Sequence, residues 1–300
     1  MTHQSTQRSV LSNMQQNLAA MARLQEQASS GRVIQRTSDD PAKASDALSL
    51  RREQAQSAQY KRNAEDGLAW LNNIDTALNT TSSLLRRARD LVVRASNDGT
   101  MNEQTREAIA AELDGIKESL LGQANTKYLG RNLFAGTSGS DTAFDTTTYG
   151  FNGHAGSSVE RRTADDVTIR VDSDGGAVFG TSATYDPADP GAYSVFSMID
   201  DLAADIRAGN NPQDYLNRID ERVNVVLTQV AKVGASTNQI ERSAESLGHK
   251  VNTLKNDIAG IENIDLAETL IELQMQEVAY QSSLNAASRV LQPSLLDYLR

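Results

Sequence analysis

From Leu216 to Ile261 apolar residues recur at alternating intervals of three and four: Leu216, Ile219, Val223, Val226, Val230, Val233, then Thr237, then Ile240, Ala244, Leu247, Val251, Leu254, Ile258 and Ile261. Only Thr237 breaks the series. A seam held this long at a period of 3.5 marks helices wound around one another, because 3.5 residues per turn keeps one stripe facing a partner. Asn211 can cap the first exposed N–H groups, and Pro212 suits the first helical position because the donor it lacks is unpaired there anyway. A helix from Pro212 to Ile261 measures roughly 75 Å at ~1.5 Å per residue, well beyond the width of a compact domain. It therefore needs partners along its length. The first is expected inside the chain, in a Pro-free helical stretch from Pro41 to about Ala95 that carries Leu48, Ala64, Leu68, Leu71, Leu78, Leu85 and Val92. Leu216, Ile219, Val223, Val226, Val230, Val233, Ile240, Leu247, Val251, Leu254 and Ile258 are accordingly read as an intramolecular seam.

A break is expected at Gly260 to Asn263. Beyond it a second seam runs through Leu266, Leu270, Leu273, Tyr280, Leu284, Ala287, Leu291 and Tyr298, with Glu277 and Ser294 at the two sites that do not fit. At the other end of the chain Leu11, Met14, Leu18, Met21 and Ala28 keep heptad spacing and close at Ser29-Ser30-Gly31, where Gly suits the left-handed residue after a helix. Both termini thus carry amphipathic helices. Leu11, Met14, Leu18, Met21, Leu266, Leu270, Leu273, Tyr280, Leu284, Ala287, Leu291 and Tyr298 form the candidate interface for neighbouring subunits. A terminal amphipathic segment without a partner folds only on contact with one.

Between the seams the chain is punctuated. Asp40 is the expected cap and Pro41 the first residue of the second helix; Thr100 and Glu103 form a candidate capping box for a shorter one with the seam Ile109, Leu113, Ile116 and Leu120. Past Leu129 glycine, proline and aromatic residues concentrate. Val167, Ile169 and Val171 alternate as a half-buried strand does, and Gly175-Gly176 before Ala177-Val178-Phe179 reads as a hairpin. The expected fold is mainly α: a long coiled-coil-like bundle formed by both chain ends, with a small β-rich insert. Its parts are 1–136, an N-terminal helical half; 137–193, an acidic β-rich module; and 194–300, a C-terminal helical half.

Composition narrows the function. The 300 residues carry a net charge of −10 and no cysteine, and 5% are aromatic. The charge argues against nucleic acid as a partner, since phosphate binding needs a basic surface. No apolar stretch has the length of a membrane span or the form of a secretory signal. Asp39-Asp40, Asp165-Asp166 and Asp200-Asp201 are adjacent pairs whose side chains diverge, so they read as caps or solvated groups rather than acid–base pairs. His3, His154 and His249 share no metal-ligand spacing. Arg86, Arg87, Arg89 and Arg94 have no aromatic residues between them and read as a solvated face or an inter-subunit salt-bridge set. No nucleophile motif or phosphate loop is present, so no catalytic, cofactor or metal residue is assigned.

Four short stretches carry a family resemblance: Ser29-Ser30-Gly31-Arg32-Val33, Ser38-Asp39-Asp40-Pro41-Ala42, Gln59-Tyr60-Lys61-Arg62-Asn63 and Ala88-Arg89-Asp90-Leu91-Val92. They resemble the N-terminal half of the flagellin superfamily. Pro41 after Asp39-Asp40, the segment Ala124-Asn125-Thr126 with Gly130-Arg131-Asn132-Leu133-Phe134-Ala135-Gly136, and the closing Ser294-Leu295-Leu296-Asp297-Tyr298-Leu299 are similar to its hook–filament junction branch. The resemblance implies a structural, non-enzymatic flagellar protein, exported without a cleavable signal through the flagellar secretion apparatus. It implies as partners the chain's own subunits in a helical layer, an adjacent hook-associated protein, flagellin and, if one is used, an export chaperone at the C-terminus. The insert 137–193 matches no part of that pattern and is expected to face outward. The alternatives left open are a flagellin filament subunit and a non-flagellar coiled-coil binding or signalling protein.

Overall fold

The structure is a computed structural model that describes residues 3–97, 102–154 and 156–291, with side chains from 8 to 288. The first helix, α1, spans His3–Ser30 and stops at Gly31, whose φ of +71° continues no right-handed helix. A short loop follows, in which the Asp39 carboxylate accepts the backbone N–H groups of Gln35 (3.2 Å) and Arg36 (2.9 Å). These two bonds, with Arg23 and Arg36 nearby, hold that carboxyl below its usual range. Asp40 then caps α2 (Pro41–Asn97) by accepting from Lys43 N at 3.0 Å.

The helix α3 (Glu103–Ala124) is capped by Asn102, whose side chain accepts from Thr105 N at 2.8 Å. The candidate cap Thr100 lies outside the described residues, and Asn102 takes the role two residues nearer the helix. Two small antiparallel pairs follow: β1 (Lys127–Tyr128) with β2 (Arg131–Asn132), and β3 (Glu160–Ala164) with β4 (Val167–Arg170). Gly175-Gly176 makes no hairpin. Gly175–Phe179 is a short helix, α4, because Asp174 accepts the N–H groups of Gly176 and Ala177. A Cβ on Gly175 would stand 2.4 Å from the Phe134 carbonyl oxygen, so glycine serves a close approach there, not a turn.

The remaining helices are α5 (Val195–Ala208), α6 (Asp214–Glu262) and α7 (Leu266–Leu291). α6 starts two residues later than Pro212, after Asn211 accepts from Gln213 N at 3.1 Å. Asp265 opens α7 by accepting from Ala267 N (2.9 Å) and Glu268 N (3.2 Å), so Asn263 to Asp265 is the break between the two seams. The fold is mainly α with two small sheets among the described residues.

The chain divides into two compact units, one of residues 1–56 with 250–300 and the other of residues 57–249. The second holds the large core. Leu71, Ile74, Leu78, Leu85 and Leu91 of α2, Leu113 and Leu120 of α3, Phe196, Ile199 and Leu202 of α5, and Ile219, Val226, Val233 and Ile240 of α6 are all buried there. The inserted segment contributes to the same cluster: Phe144, Val159, Ile169, Val171, Val178 and Phe179 belong to it. Ring pairs Phe134–Phe179, Phe144–Phe179, Phe144–Phe196 and Phe179–Phe196 lie 5.3 to 5.8 Å apart and join the insert to α5.

Candidate functional site

In the unit built from the two chain ends, α1 and α7 pack side by side along their length. They run in opposite directions: Ile264 N donates to Gly31 O at 3.2 Å at one end, and Gln276 Nε2 donates to Asn17 O at 3.2 Å further along. Val10, Met14, Asn17, Met21, Leu24 and Ala28 are half-buried positions of α1, a stripe at spacings of three and four with the half-buried Gln27 beside it. On α7 the covered positions are Thr269, Leu273, Gln276, Tyr280, Ser283 and Ala287. The contact is polar in part: Asn17 and Gln276 are bonded to each other across it, and the buried Thr269 hydroxyl donates to the Asp265 carbonyl of its own first turn.

The candidate interface residues therefore divide. Met14, Met21, Leu273, Tyr280 and Ala287 face the chain's own helix pair, while Leu11, Leu18, Leu266, Leu270 and Leu284 stay exposed. The Leu291 side chain and Tyr298 lie outside the described part. Sequence periodicity missed a second apolar stripe on α7, made by Ile271 (59% exposed), Met275 (61%) and Val278 (63%). Their i, i+4, i+7 spacing is legible in the sequence but falls outside the heptad register of the neighbouring stripe. A continuous stripe of exposed apolar side chains on a small helical pair makes this face a candidate site for another protein chain.

The seam of α6 is covered with a seven-residue beat. Ile219, Val226, Val233, Ile240, Leu247 and Leu254 are buried, and Leu216, Val223, Val230, Val251 and Ile258 are half-buried between them. Within residues 57–249 its partner is α2: a Cβ on Gly67 would come 2.8 Å from Ile240 Cδ1, and Arg89 Nε pairs with Asp220 at 2.6 Å. Within the other unit Arg51 Nη2 pairs with Glu262 Oε2 at 2.7 Å and Lys250 with Glu53 at 2.8 Å.

The charged candidates take up internal work. Asp200 accepts from Tyr149 Oη at 2.9 Å and from Lys117, and Asp201 from Tyr193, so both carboxylates bind side chains of the same unit while Asp201 stays exposed and Asp200 half-buried. Burial first, and the Asp201 hydrogen bond second, push the Tyr193 hydroxyl up. Arg87 and Arg89 pair within the chain with Glu112 and Asp220, both at 2.6 Å. Arg222 was not singled out by sequence. It is buried and donates to the carbonyls of Val178 (3.1 Å), Gly191 (3.1 Å), Ala177 (3.3 Å) and Tyr193 (2.6 Å), tying the 177–193 segment to α6. Burial pulls its guanidinium down to about 10, which leaves it charged at neutral pH. Among the described residues no group of His, Cys, Asp or Glu is placed to hold a metal ion, and no described helix is long and apolar enough to cross a membrane.

Residues 1–139 match the bacterial flagellin N-terminal helical region, and residues 216–299 match the bacterial flagellin C-terminal helical region. The chain belongs to the flagellin family. It shares with that family the arrangement found here, in which both chain ends are helical and the segment between them falls outside the two matched regions. Hook-associated protein 3 of Salmonella typhimurium is 27% identical over 291 residues, covering 91% of each chain. Flagellin of Bacillus subtilis is 25% identical over 282 residues, covering 91% of this chain and 90% of the relative. Among solved structures FlgL of Bacillus cereus superposes with a TM-score of 0.59 at 21% identity, covering 70% of this chain and 99% of its own, which supports the flagellin-family fold.

Proposed function

We propose that this chain is the structural subunit joining the hook-associated proteins of a bacterial flagellum to its filament, and that it acts by packing, not catalysis. The observation that carries the reading is the α1–α7 pair: both chain ends meet in one unit, and that pair leaves Leu18, Leu270, Ile271, Met275 and Val278 facing outward. Each such side chain contributes ~1.5–3 kcal/mol when fully buried, so a layer of subunits is the state that removes them from water. Heterologous contacts of this kind repeat along a helix instead of closing a dimer. The junction reading over the filament reading rests on Pro41 after Asp39-Asp40 and on the closing stretch Ser294 to Leu299.

On this reading the neighbours are copies of the chain itself, a hook-associated protein and flagellin, and the route outward is the flagellar secretion apparatus, with a chaperone on the C-terminal segment if one is used. The 137–193 segment faces away from the layer. A fluorescently tagged copy, expressed in place of the untagged chain, is expected as one spot at the hook–filament boundary of each flagellum. Label along the whole filament supports the second reading, a filament subunit, which the 25% identity to Bacillus subtilis flagellin over 91% of this chain favours. Label away from flagella refutes both.

A further inference from the structure

Beside the α1–α2 loop lies a groove of about 170 Å³, walled by Arg32, Arg36 and Arg51 together with the apolar side chains of Ile34 and Leu48. Leu48 is 52% exposed although it sits next to the buried Ala47. Arg51 is committed to Glu262 at 2.7 Å. Arg32 and Arg36 make no side-chain hydrogen bond or ion pair among the described residues, and Arg36 meets Asp39 only as a longer-range attraction. The groove is thus basic and apolar at once, on a chain whose net charge is −10. A guanidinium left open in this way is suited to a carboxylate, which it can hold through two parallel hydrogen bonds.

The outer face of α7 has the complementary composition. Ile271, Met275 and Val278 form its apolar stripe, and Glu268 and Glu272, both exposed, lie on its edge at i−3 and i+1 from Ile271. From Leu266 to Ser288 this helix carries three glutamates and no Lys or Arg. We infer that the outer face of α7 in one copy docks into the Arg32–Arg36–Leu48 groove of a neighbouring copy. The glutamates meet the two open guanidinia, and the Ile271–Met275 ridge covers Leu48. This contact rests on the packing role proposed above and names the surfaces that perform it. It makes the inter-subunit contact directional, since groove and ridge lie on different parts of the chain, and it makes assembly sensitive to salt.

The chain has no cysteine, so single introduced thiols are diagnostic. One tagged chain carrying Leu48→Cys and another carrying Ile271→Cys are expressed together, and isolated flagella are treated with a short bismaleimide. A dimer that forms only when both chains are present is the expected result. Both positions are exposed, so folding is not at issue. If the tag localises to flagella but no such dimer forms, the docking is wrong while the junction reading stands; if the tag is absent from flagella, the junction reading itself fails. The charge test is separate: Arg32→Glu with Arg36→Glu is expected to lower incorporation about tenfold or more, and Glu268→Arg with Glu272→Arg on the same chain to restore it. A quadruple variant no better than the double overturns the electrostatic pairing.

Discussion

Leu129 stands at φ +48° and Gly130 at φ +77°, the two central residues of the turn between β1 and β2. A two-residue turn with both φ values positive favours Asn-Gly, since Asn tolerates the left-handed region and a branched apolar side chain does not. Leu129 is also 77% exposed, so burial returns nothing for that conformation. Replacing it by Asn should stabilise the chain by about 1 kcal/mol, raising Tm by roughly 2–4 °C in calorimetry at this chain length. An unchanged or lower Tm would contradict the strain. Arg222 makes the opposite point at the same scale. Four backbone carbonyls surround one buried guanidinium, and nothing in the spacing of the sequence marks it, because its partners are main-chain atoms.

At the scale of elements, what could be read from sequence was what is local and periodic. The α6 seam, the cap at Asp40 and the break before α7 follow from neighbours a few residues apart, and the structure places them within two or three residues of the expected positions. The α4 helix was not legible. Five residues are too few for a period, and their conformation depends on Asp174 and on Phe134, about forty residues earlier. β3 escaped for a related reason, since Glu160-Arg161-Arg162-Thr163-Ala164 shows no apolar alternation and is a strand only because β4 pairs with it. Gly67 is a point of close approach on α2: its missing Cβ leaves room for Ile240 Cδ1 of α6 and for Val171 Cγ1 and Arg161 Cγ, which would lie 2.8, 3.0 and 3.3 Å from one. Gly67→Leu should cost about 2–3 kcal/mol through overpacking, read as a lower urea midpoint at unchanged slope. A midpoint equal to that of the parent would mean α2 and α6 do not approach this closely.

For the whole molecule, the two units differ in what holds them. Among the described residues of the unit formed by the chain ends, the buried apolar side chains are Ala44, Ala47, Leu254 and Ala287, with Glu262 and Thr269 as buried polar ones. The other unit buries four phenylalanines, Trp70 and most of the leucines of α2, α3 and α5. A helix pair with so little covered area cannot offset the entropy of ordering its own chain by much, whereas the second unit buries a large contiguous apolar core. Local stability should follow that difference. In hydrogen exchange on the purified chain, amides of α1 and α7 are expected to exchange orders of magnitude faster than those of α2 between Leu71 and Leu91. Once the chain is incorporated into flagella, α1 and α7 should gain protection while the 71–91 amides stay as they were, because assembly supplies apolar partners only where the free chain lacks them. Equal protection of both regions in the free chain would mean that the exposed stripe on α7 is not where assembly stores its energy, and the packing role would have to be sought on another face.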